Sequence, residues 1–344
     1  MRAILLCAGR GKRFRPVTEA IPKPLLPFLN VPVAAAHLER LQHAGVGEVA
    51  VNLHHLGDQI ERRLSEQTAR SPQLTFFRER VLLGTAGALR HAAAFLSGAG
   101  GAFLVVNSDA AIAPGYTELF ARHRASGRAA TLLVTENRHP DRYTPLQTEG
   151  DRITGFGPGG GRPLMYTGVC VLAASLLGRI PPGETSLVSD LWQPLLEEGR
   201  EEIGFLLHSG DHADLGRPGD FLGATLEALA RGGPFPAGAG SFDRSRRLLA
   251  RDALEGFDAF DGVLGNADIG AGARLERSVV WDGVSVGAGA RLTDCVAARG
   301  RVPDGAHYEK ALLWSADDGG SVSAFPLVGL DRDDHGFHPL SPRR

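Results

Sequence analysis

The sequence has little lysine, little cysteine and almost no net charge. Only three lysines, Lys12, Lys23 and Lys310, stand among the 37 lysine and arginine residues. Three cysteines, Cys7, Cys170 and Cys295, lie far apart and without metal-ligand spacing, which excludes a disulfide scaffold and a zinc cluster. Cys7 and Cys170 fall in apolar runs and read as buried thiols, as in a protein of the reducing cytoplasm. A formal net charge of −2 excludes a basic face for nucleic acid. No stretch approaches the ~18 uninterrupted apolar residues of a membrane-spanning helix. The chain opens directly on a strand, which leaves no room for a signal peptide. At 344 residues, 43% hydrophobic and 22% charged, the composition is that of a globular enzyme with one large domain and a smaller one.

What is present concentrates between Leu5 and Pro27, LLCAGRGKRFRPVTEAIPKPLLP. An apolar strand ends in a turn containing Gly9 and Gly11, followed by Lys12, Arg13 and Arg15. Backbone N–H groups at such a turn can cradle phosphate, and the cations neutralise the charge that remains. The turn is no P-loop, because Arg13 stands where Ser or Thr must follow the lysine. Nor is it GxGxxG, since Phe14 occupies the third glycine position. A basic surface loop would share the features of Gly9–Arg13; Lys23, a compact point charge held between Pro22 and Pro24 in an arginine-rich chain, separates the two readings.

This segment resembles the signature of sugar-1-phosphate nucleotidyltransferases, roughly LAAGxGxRxxPLTxxxPKPLxP. Ala8, Gly9, Gly11, Arg13, Pro16, Thr18, Pro22, Lys23, Pro24, Leu25 and Pro27 match it.

Strand and helix patterns alternate through the first 230 residues: strands at Ala3–Cys7, Glu48–Leu53, Leu74–Phe77, Ala102–Asn107 and Ala129–Thr135, and helices at Pro32–Ala44, Gly57–Gln67, Gly87–Leu96 and Tyr116–Ser126. This predicts an α/β fold, a Rossmann-like, doubly wound and mostly parallel sheet, with ligands at the carboxyl ends of the strands. The glycine loop, Gly84 and Asp109 all fall at such ends.

Three further constellations join the signature. In Leu83-Gly84-Thr85-Ala86-Gly87 a glycine turn leads into a helix, so a flat ring could approach the backbone; the resemblance places the nucleotide at Ala8, Gly9, Gly11, Gly84, Thr85 and Ala86. A helix start capped by Thr85 is the plainer alternative. Asp109 ends a buried strand, and the resemblance makes it a ligand of Mg²⁺, a cation that prefers one or two carboxylates plus phosphate oxygens. Ser108 stands where the family has glycine. Asp211–Phe221 resembles W-x-D-[IL]-G-T-P-E-D-[YF], which makes Asp214 the second metal acid, with Arg217 in place of Thr and His212 near the usual aromatic. Tyr166-Thr167-Gly168-Val169 resembles the sugar-contacting strand start, so Thr167 and Gly168 are implied sugar ligands. The family's Glu-Lys-Pro triplet is replaced by Gly155–Pro163, in which Arg162 is the only nearby cation and the implied substitute.

After a Gly/Pro/Ala-rich linker, Ile269-Gly-Ala-Gly-Ala-Arg-Leu275 recurs as Val286-Gly-Ala-Gly-Ala-Arg-Leu292. This is the pattern of hexapeptide repeats, about three short strands per triangular coil of a parallel β-helix, with Val302-Pro303-Asp304-Gly305 opening a third coil. Two β-hairpins with glycine turns are the alternative. In the family the β-helix is left-handed. The expected domains are a catalytic domain at 1–232, a linker at 233–262, the β-helix at 263–315 and an irregular tail at 316–344. Exposed coil edges make a homo-oligomer an expectation.

The resemblance implies transfer of a nucleotidyl group from an NTP to a sugar 1-phosphate, with Arg13, Lys23 and Asp109 catalytic, Mg²⁺ as cofactor, and neither nucleic acid nor membrane as partner. Val51–Leu56 and the Gly84 turn look most like mannose-1-phosphate guanylyltransferases and their muramate-phosphate uridylyltransferase relatives; the attached β-helix favours the former, which points to GTP and mannose 1-phosphate. Uridylyl, thymidylyl and adenylyl transfer remain open, as do a regulatory homologue that only binds nucleotide sugar and transfer to a non-sugar phosphate.

Overall fold

The first strand dictates a sheet covered on both faces. β1 (Arg2–Leu6) carries Ala3, Ile4 and Leu5, all wholly buried. A strand that is apolar on both faces needs cover on both, which an α/β layer arrangement supplies. The computed structural model describes residues 1–66, 72–98, 100–112, 115–159, 162–199, 202–210, 212–230 and 260–327. The chain divides into two units, Met1–Arg10 with Ala34–His212, and Gly11–Val33 with Ala213–Arg344. This division differs from the boundary at residue 232 drawn on the sequence: the cationic loop and the segment from Ala213 group with the repeats. The linker between 233 and 259, the residues 328–344 of the expected tail, and Gly160, Gly161 and Asp211 lie outside the described residues.

In the first unit β2 (Glu48–Leu53), β3 (Gln73–Arg78), β4 (Ala102–Asn107), β5 (Ala130–Glu136), β6 (Leu146–Glu149), β7 (Arg152–Phe156), β8 (Leu164–Ala173) and β9 (Ile203–Leu207) join β1 in one sheet of order β3-β2-β1-β4-β8-β5-β9-β7-β6. The first four strands are parallel. β8 then runs antiparallel to both β4 and β5, and β6 and β7 are antiparallel as well. The expected mostly parallel sheet is therefore mixed. Parallel neighbours need a long crossover, and no described helix lies between β5 and β8; β6 and β7 form an antiparallel hairpin, and β8 pairs antiparallel with β6 at Leu164 and Leu146. Periodicity marks a strand without revealing its direction.

The helices Val33–His43, Gly57–Ser65 and Tyr116–Ser126 fall where the spacing predicts. The alanine-rich segment forms two helices, Gly84–His91 and Ala93–Ser97, broken at Ala92. Phe103, Val105, Leu132, Cys170, Leu172 and Trp192 belong to one buried cluster. Burial stabilises by about 1.5–3 kcal/mol for each large aliphatic or Phe side chain.

Because the chain runs β1, β2, β3 to one side and returns to β4 on the other side of β1, the strand order reverses between β1 and β4. A crevice opens at the carboxyl ends of strands at such a switch point. The Ala8-Gly9 turn leaves β1 there, and Ser108-Asp109 leaves β4.

The second unit holds the repeats. Parallel pairings stack Asp268 on Ser285 on Arg301, Arg274 on Arg291 on His307, and Val279 on Val296 on Leu312. The repeat is thus 17 residues and then 16, and the third coil is present. Corners recur in the left-handed region at Gly272, Gly289 and Gly305 (φ 72°, 64° and 66°) and at Arg277, Asp294 and Lys310 (φ 48°, 51° and 48°). Gly283 and Gly300 mark a third corner (φ 77° and 107°), so each coil is triangular and the hairpin alternative falls. Leu275, Leu292 and Tyr308 form one inward row, and Val280, Ala297 and Leu313 another. Residues 316–327 are no irregular tail: Ser323–Pro326 pairs antiparallel with Ala311–Trp314. That strand covers backbone groups that the last coil would otherwise present as an open edge.

Candidate functional site

In the α/β unit, the mouth of the switch point is built from backbone first. Ala8 is buried and Gly9 exposed, and a Cβ on Gly9 would meet nothing within 4 Å. Packing therefore does not demand this glycine, in contrast to the other turn glycines below. Ser108 donates from Oγ to the Leu6 carbonyl at 2.6 Å, and its backbone N–H reaches the same oxygen at 3.3 Å. The hydroxyl where the family has glycine thus ties the ends of β1 and β4 together. Asp109 next to it is half-buried.

Three buried groups sense the Asp109 charge: Cys7, His37 and Tyr166. Burial pushes the Cys7 thiol up to about 12, a rise that the Ser108 hydrogen bond opposes and Asp109 reinforces. Burial lowers His37 to about 4, with the nearby Arg40 charge adding to the effect. Burial likewise holds the Tyr166 phenol well above its ordinary value. At neutral pH all three are uncharged. Cys170 and Cys295 are also buried thiols raised to about 12.

A polar chain that sequence reading missed crosses the carboxyl ends of β1, β2 and β3. The Cys7 N–H donates to Asn52 Oδ1 at 2.7 Å, Asn52 Nδ2 donates to Glu79 Oε1 at 2.8 Å, and the Leu83 N–H donates to Glu79 Oε2 at 3.0 Å. Glu79 is buried, so the chain links the glycine loop to the Gly84 turn through groups with few alternatives. Between Arg78 and Arg80 in sequence, Glu79 looks like any surface acid.

The Gly84 turn itself is packed against protein. Gly84 has φ 73°, and a Cβ there would strike the Thr185 carbonyl; a Cβ on Gly87 would lie 2.6 Å from the Gly183 carbonyl. The Ala86 N–H donates to Thr185 O at 3.0 Å, and Thr85 Oγ1 accepts from the Leu187 N–H at 2.9 Å. These glycines are required by the 183–187 segment, and Thr85 lies inside its helix without capping it.

Of the implied sugar residues, Thr167 is buried and donates to the Leu133 carbonyl at 2.9 Å. Gly168 has φ 86°, with a Cβ position 2.9 Å from Asn107 Cβ, and sits where the β8–β5 register shifts. It therefore lets β8 pass close beside the strand that ends in Asp109. Arg162 is exposed, 3.9 Å from Glu136.

The second unit carries the cations. Gly11 (φ 60°) begins a folded loop in which Thr18 Oγ1 donates to the Gly11 carbonyl at 2.8 Å. A Cβ on Gly11 would lie 2.8 Å from Thr18 Cγ2 and 3.2 Å from Lys23 Cβ. Lys23 is only 8% exposed, on a short helical turn, Lys23–Leu25, set by the prolines on either side. Arg13 Nη1 lies 3.7 Å from Asp214 Oδ2, and the other carboxylate oxygen accepts from the Gly216 N–H at 2.7 Å. Arg13, Lys23 and Asp214 therefore belong to one unit, and Ala8, Gly9, the Gly84 turn and Asp109 to the other.

Among the described residues no group of three or more His, Cys, Asp and Glu could hold a metal. The available donors are carboxylates, which suit a hard cation that completes its shell with phosphate oxygens. No described helix is long and apolar enough to cross a membrane.

Residues 2–230 match the family model for Nucleotidyl transferase. The chain is 31% identical over 231 residues to the mannose-1-phosphate guanylyltransferase catalytic subunit beta of Danio rerio, covering 64% of this chain and 63% of that protein. It is 28% identical over 296 residues to mannose-1-phosphate guanylyltransferase of Mycobacterium tuberculosis, covering 83% and 81% of the two chains. Against the first of these the match thus spans less than two thirds of the relative's length. Among solved structures, HddC from Yersinia pseudotuberculosis aligns with TM-score 0.57 and 20% identity over 66% of this chain and 98% of that one. A putative glucose-1-phosphate thymidylyltransferase from Bacillus anthracis aligns with TM-score 0.58 and 20% identity over 69% and 98%. At that identity the likeness concerns the fold.

Proposed function

The chain belongs to the nucleotidyl transferase family, and from that premise we propose that it transfers a nucleotidyl group from an NTP to a sugar 1-phosphate, with GTP and mannose 1-phosphate as the substrates. The observation that carries the reading is the switch point itself: an open Gly9 turn at the end of β1 beside Asp109 at the end of β4, tied by Ser108. The named relatives, guanylyltransferases for mannose 1-phosphate, support the choice of base and sugar.

A phosphate oxygen of the sugar 1-phosphate attacks the α-phosphorus in line. The new P–O bond forms as the bond to the β-phosphate bridge breaks, and pyrophosphate leaves with its electron pair. Such a reaction asks the protein for positioning and charge neutralisation. The Gly9 turn receives the triphosphate backbone to backbone. Arg13 and Lys23 neutralise charge on the α-phosphate and the leaving pyrophosphate. Asp109 and, separately, Asp214 are the proposed carboxylate ligands of Mg²⁺, which supplies Lewis-acid stabilisation of phosphate charge when bound. Thr167, Gly168 and Arg162 are the proposed sugar contacts. The stacked coils are read, on the family resemblance, as a left-handed β-helix.

The test is pyrophosphate release with Mg²⁺ across GTP, UTP, dTTP, ATP and CTP against mannose, glucose, N-acetylglucosamine and muramate-type 1-phosphates. Release with GTP and mannose 1-phosphate alone supports the full reading, and release with another pair replaces the substrates. One feature favours a second reading: the Glu-Lys-Pro triplet is absent and the substitute Arg162 is solvent-exposed. No release with any pair, alongside retained nucleotide-sugar binding, would make the protein a binding homologue.

A further inference from the structure

An aromatic cluster joins the cationic loop to the first coils of the repeat. Phe14, the residue after Arg13, is wholly buried and stacks on Trp281 of the coil, with ring centroids 6.4 Å apart and 21° between planes. Phe221, on the helix Pro218–Ala230 that follows Asp214 in the chain, meets Phe14 edge-on at 5.7 Å and Trp281 at 5.8 Å. Phe28, later in the cationic loop, meets Phe221 at 5.8 Å. At the tip of the same loop, Asn30 Nδ2 donates to the Leu264 carbonyl of the first coil strand at 2.8 Å. Leu29 and Asn30 both have positive φ (50° and 60°), forming the two-residue turn that presents this amide.

Arg13 sits on the three-residue turn Lys12–Phe14, and its guanidinium reaches Asp214 at 3.7 Å. Two backbone hydrogen bonds close this short turn, Phe14 N–H to the Gly11 carbonyl at 2.9 Å and Arg15 N–H to the Lys12 carbonyl at 3.4 Å, and neither holds the Arg13 side chain. The buried anchor next to Arg13 is Phe14, and Phe14 rests on Trp281. We propose that Trp281 is a positioning residue for Arg13, so that the coils are part of the apparatus that orients the signature loop and not an appended module. This deepens the proposed transferase reading and rests on it for its kinetic readout.

Trp281 Nε1 has no hydrogen-bond partner among the described residues. The indole acts through its face, and phenylalanine should replace it without losing a hydrogen bond. Trp314, buried in the last coil beside Arg299, is the control, since its ring takes no part in this cluster.

The test compares Trp281→Ala, Trp281→Phe, Phe14→Ala, the Phe14→Ala/Trp281→Ala double variant and Trp314→Ala in the full-length protein. Trp281→Ala is expected to lower kcat by about tenfold to a hundredfold while KM for the NTP moves by less than about threefold. Trp281→Phe should restore kcat to within about threefold, and the double variant should lose little more than either single one, as for residues acting as a unit. A second readout needs no turnover: trypsin cleavage after Lys12 and Arg13, located by mass spectrometry, should accelerate about tenfold in Trp281→Ala through local loosening, and stay at the parent rate in Trp281→Phe and Trp314→Ala. If the parent protein releases no pyrophosphate with any substrate pair, the transferase reading fails and the proteolysis arm still decides this one. Unchanged kcat and unchanged cleavage in Trp281→Ala would overturn the proposal. So would equal losses in Trp281→Ala and Trp314→Ala, which would mean that any weakened coil has the same effect.

Discussion

Replacing Glu79 by glutamine tests whether the buried polar chain at the strand ends has a fixed direction. Both ends of that chain are backbone donors that cannot be reversed: the Cys7 N–H points to Asn52 Oδ1, and the Leu83 N–H to Glu79 Oε2. Asn52 must therefore present its amide nitrogen to residue 79, as it does at 2.8 Å. Only a group with two acceptors and no donor satisfies both Asn52 Nδ2 and Leu83 N, and a carboxylate is that group. Glutamine offers one oxygen and one NH₂, so one buried donor is left facing another. Flipping Asn52 only moves the conflict to Cys7. A buried polar group left without a partner costs about 1–3 kcal/mol, and we take ~2 for the isosteric change. For a unit of this size that corresponds to a Tm about 4–8 °C lower. Leu83 also anchors the start of the Gly84 helix, so KM for the NTP should rise with it. Thermal unfolding and initial-rate kinetics on the purified variant check both. A Tm within about 1 °C of the parent together with an unchanged KM would show that the carboxylate is replaceable and that the directional reasoning fails.

Asp109→Ala should abolish Mg²⁺-dependent pyrophosphate release while the protein stays folded by circular dichroism, and near-parental turnover would remove Asp109 from the metal role. Lys23→Ala should lower kcat by two decades or more, on the order of 3 kcal/mol by analogy with loss of one oxyanion donor, and a change under about fivefold would make Lys23 structural. Gly84→Ala forces a Cβ into the Thr185 carbonyl at φ 73° and should destabilise by about 2 kcal/mol or more in chemical unfolding; a neutral effect would show that the 183–187 segment yields readily. His37 is held neutral by burial at about 4 against an ordinary 6.5, so the unfolded chain binds the extra proton first. Stability from this group is complete above about pH 6.5 and is lost as pH falls toward 4, by about 3 kcal/mol in all. Unfolding free energies from pH 7 to 4 in the parent and in His37→Gln should converge at the acid end, and parallel curves would refute the assignment.

Much was legible in the linear chain because it depends on local pattern. Apolar runs such as Ala3–Leu5 and Phe103–Val106 fix where strands lie, the 17-residue echo of Ile269–Leu275 announces stacked coils, and the spacing from Ala8 to Pro27 marks the signature. Some local features have a second physical reason that the linear chain does not show. Gly84 and Gly87 look made for a ligand, yet the atoms a Cβ would meet belong to residues 183–185, far away in sequence. Ser108 looks like a lost glycine, yet its hydroxyl replaces conformational freedom with a bond to Leu6.

By itself, then, the sequence determined the kinds of element, the repeat and the family signature, since hydrophobic period, glycine placement and residue spacing act over a few residues. Only the tertiary structure decided the direction of β8, which follows from connections without a crossover helix. Only it revealed Glu79 as a buried double acceptor, which needs three strand ends side by side. Only it placed Trp281 under Phe14, because the 266 positions between the two residues carry no sign of a contact made by folding alone.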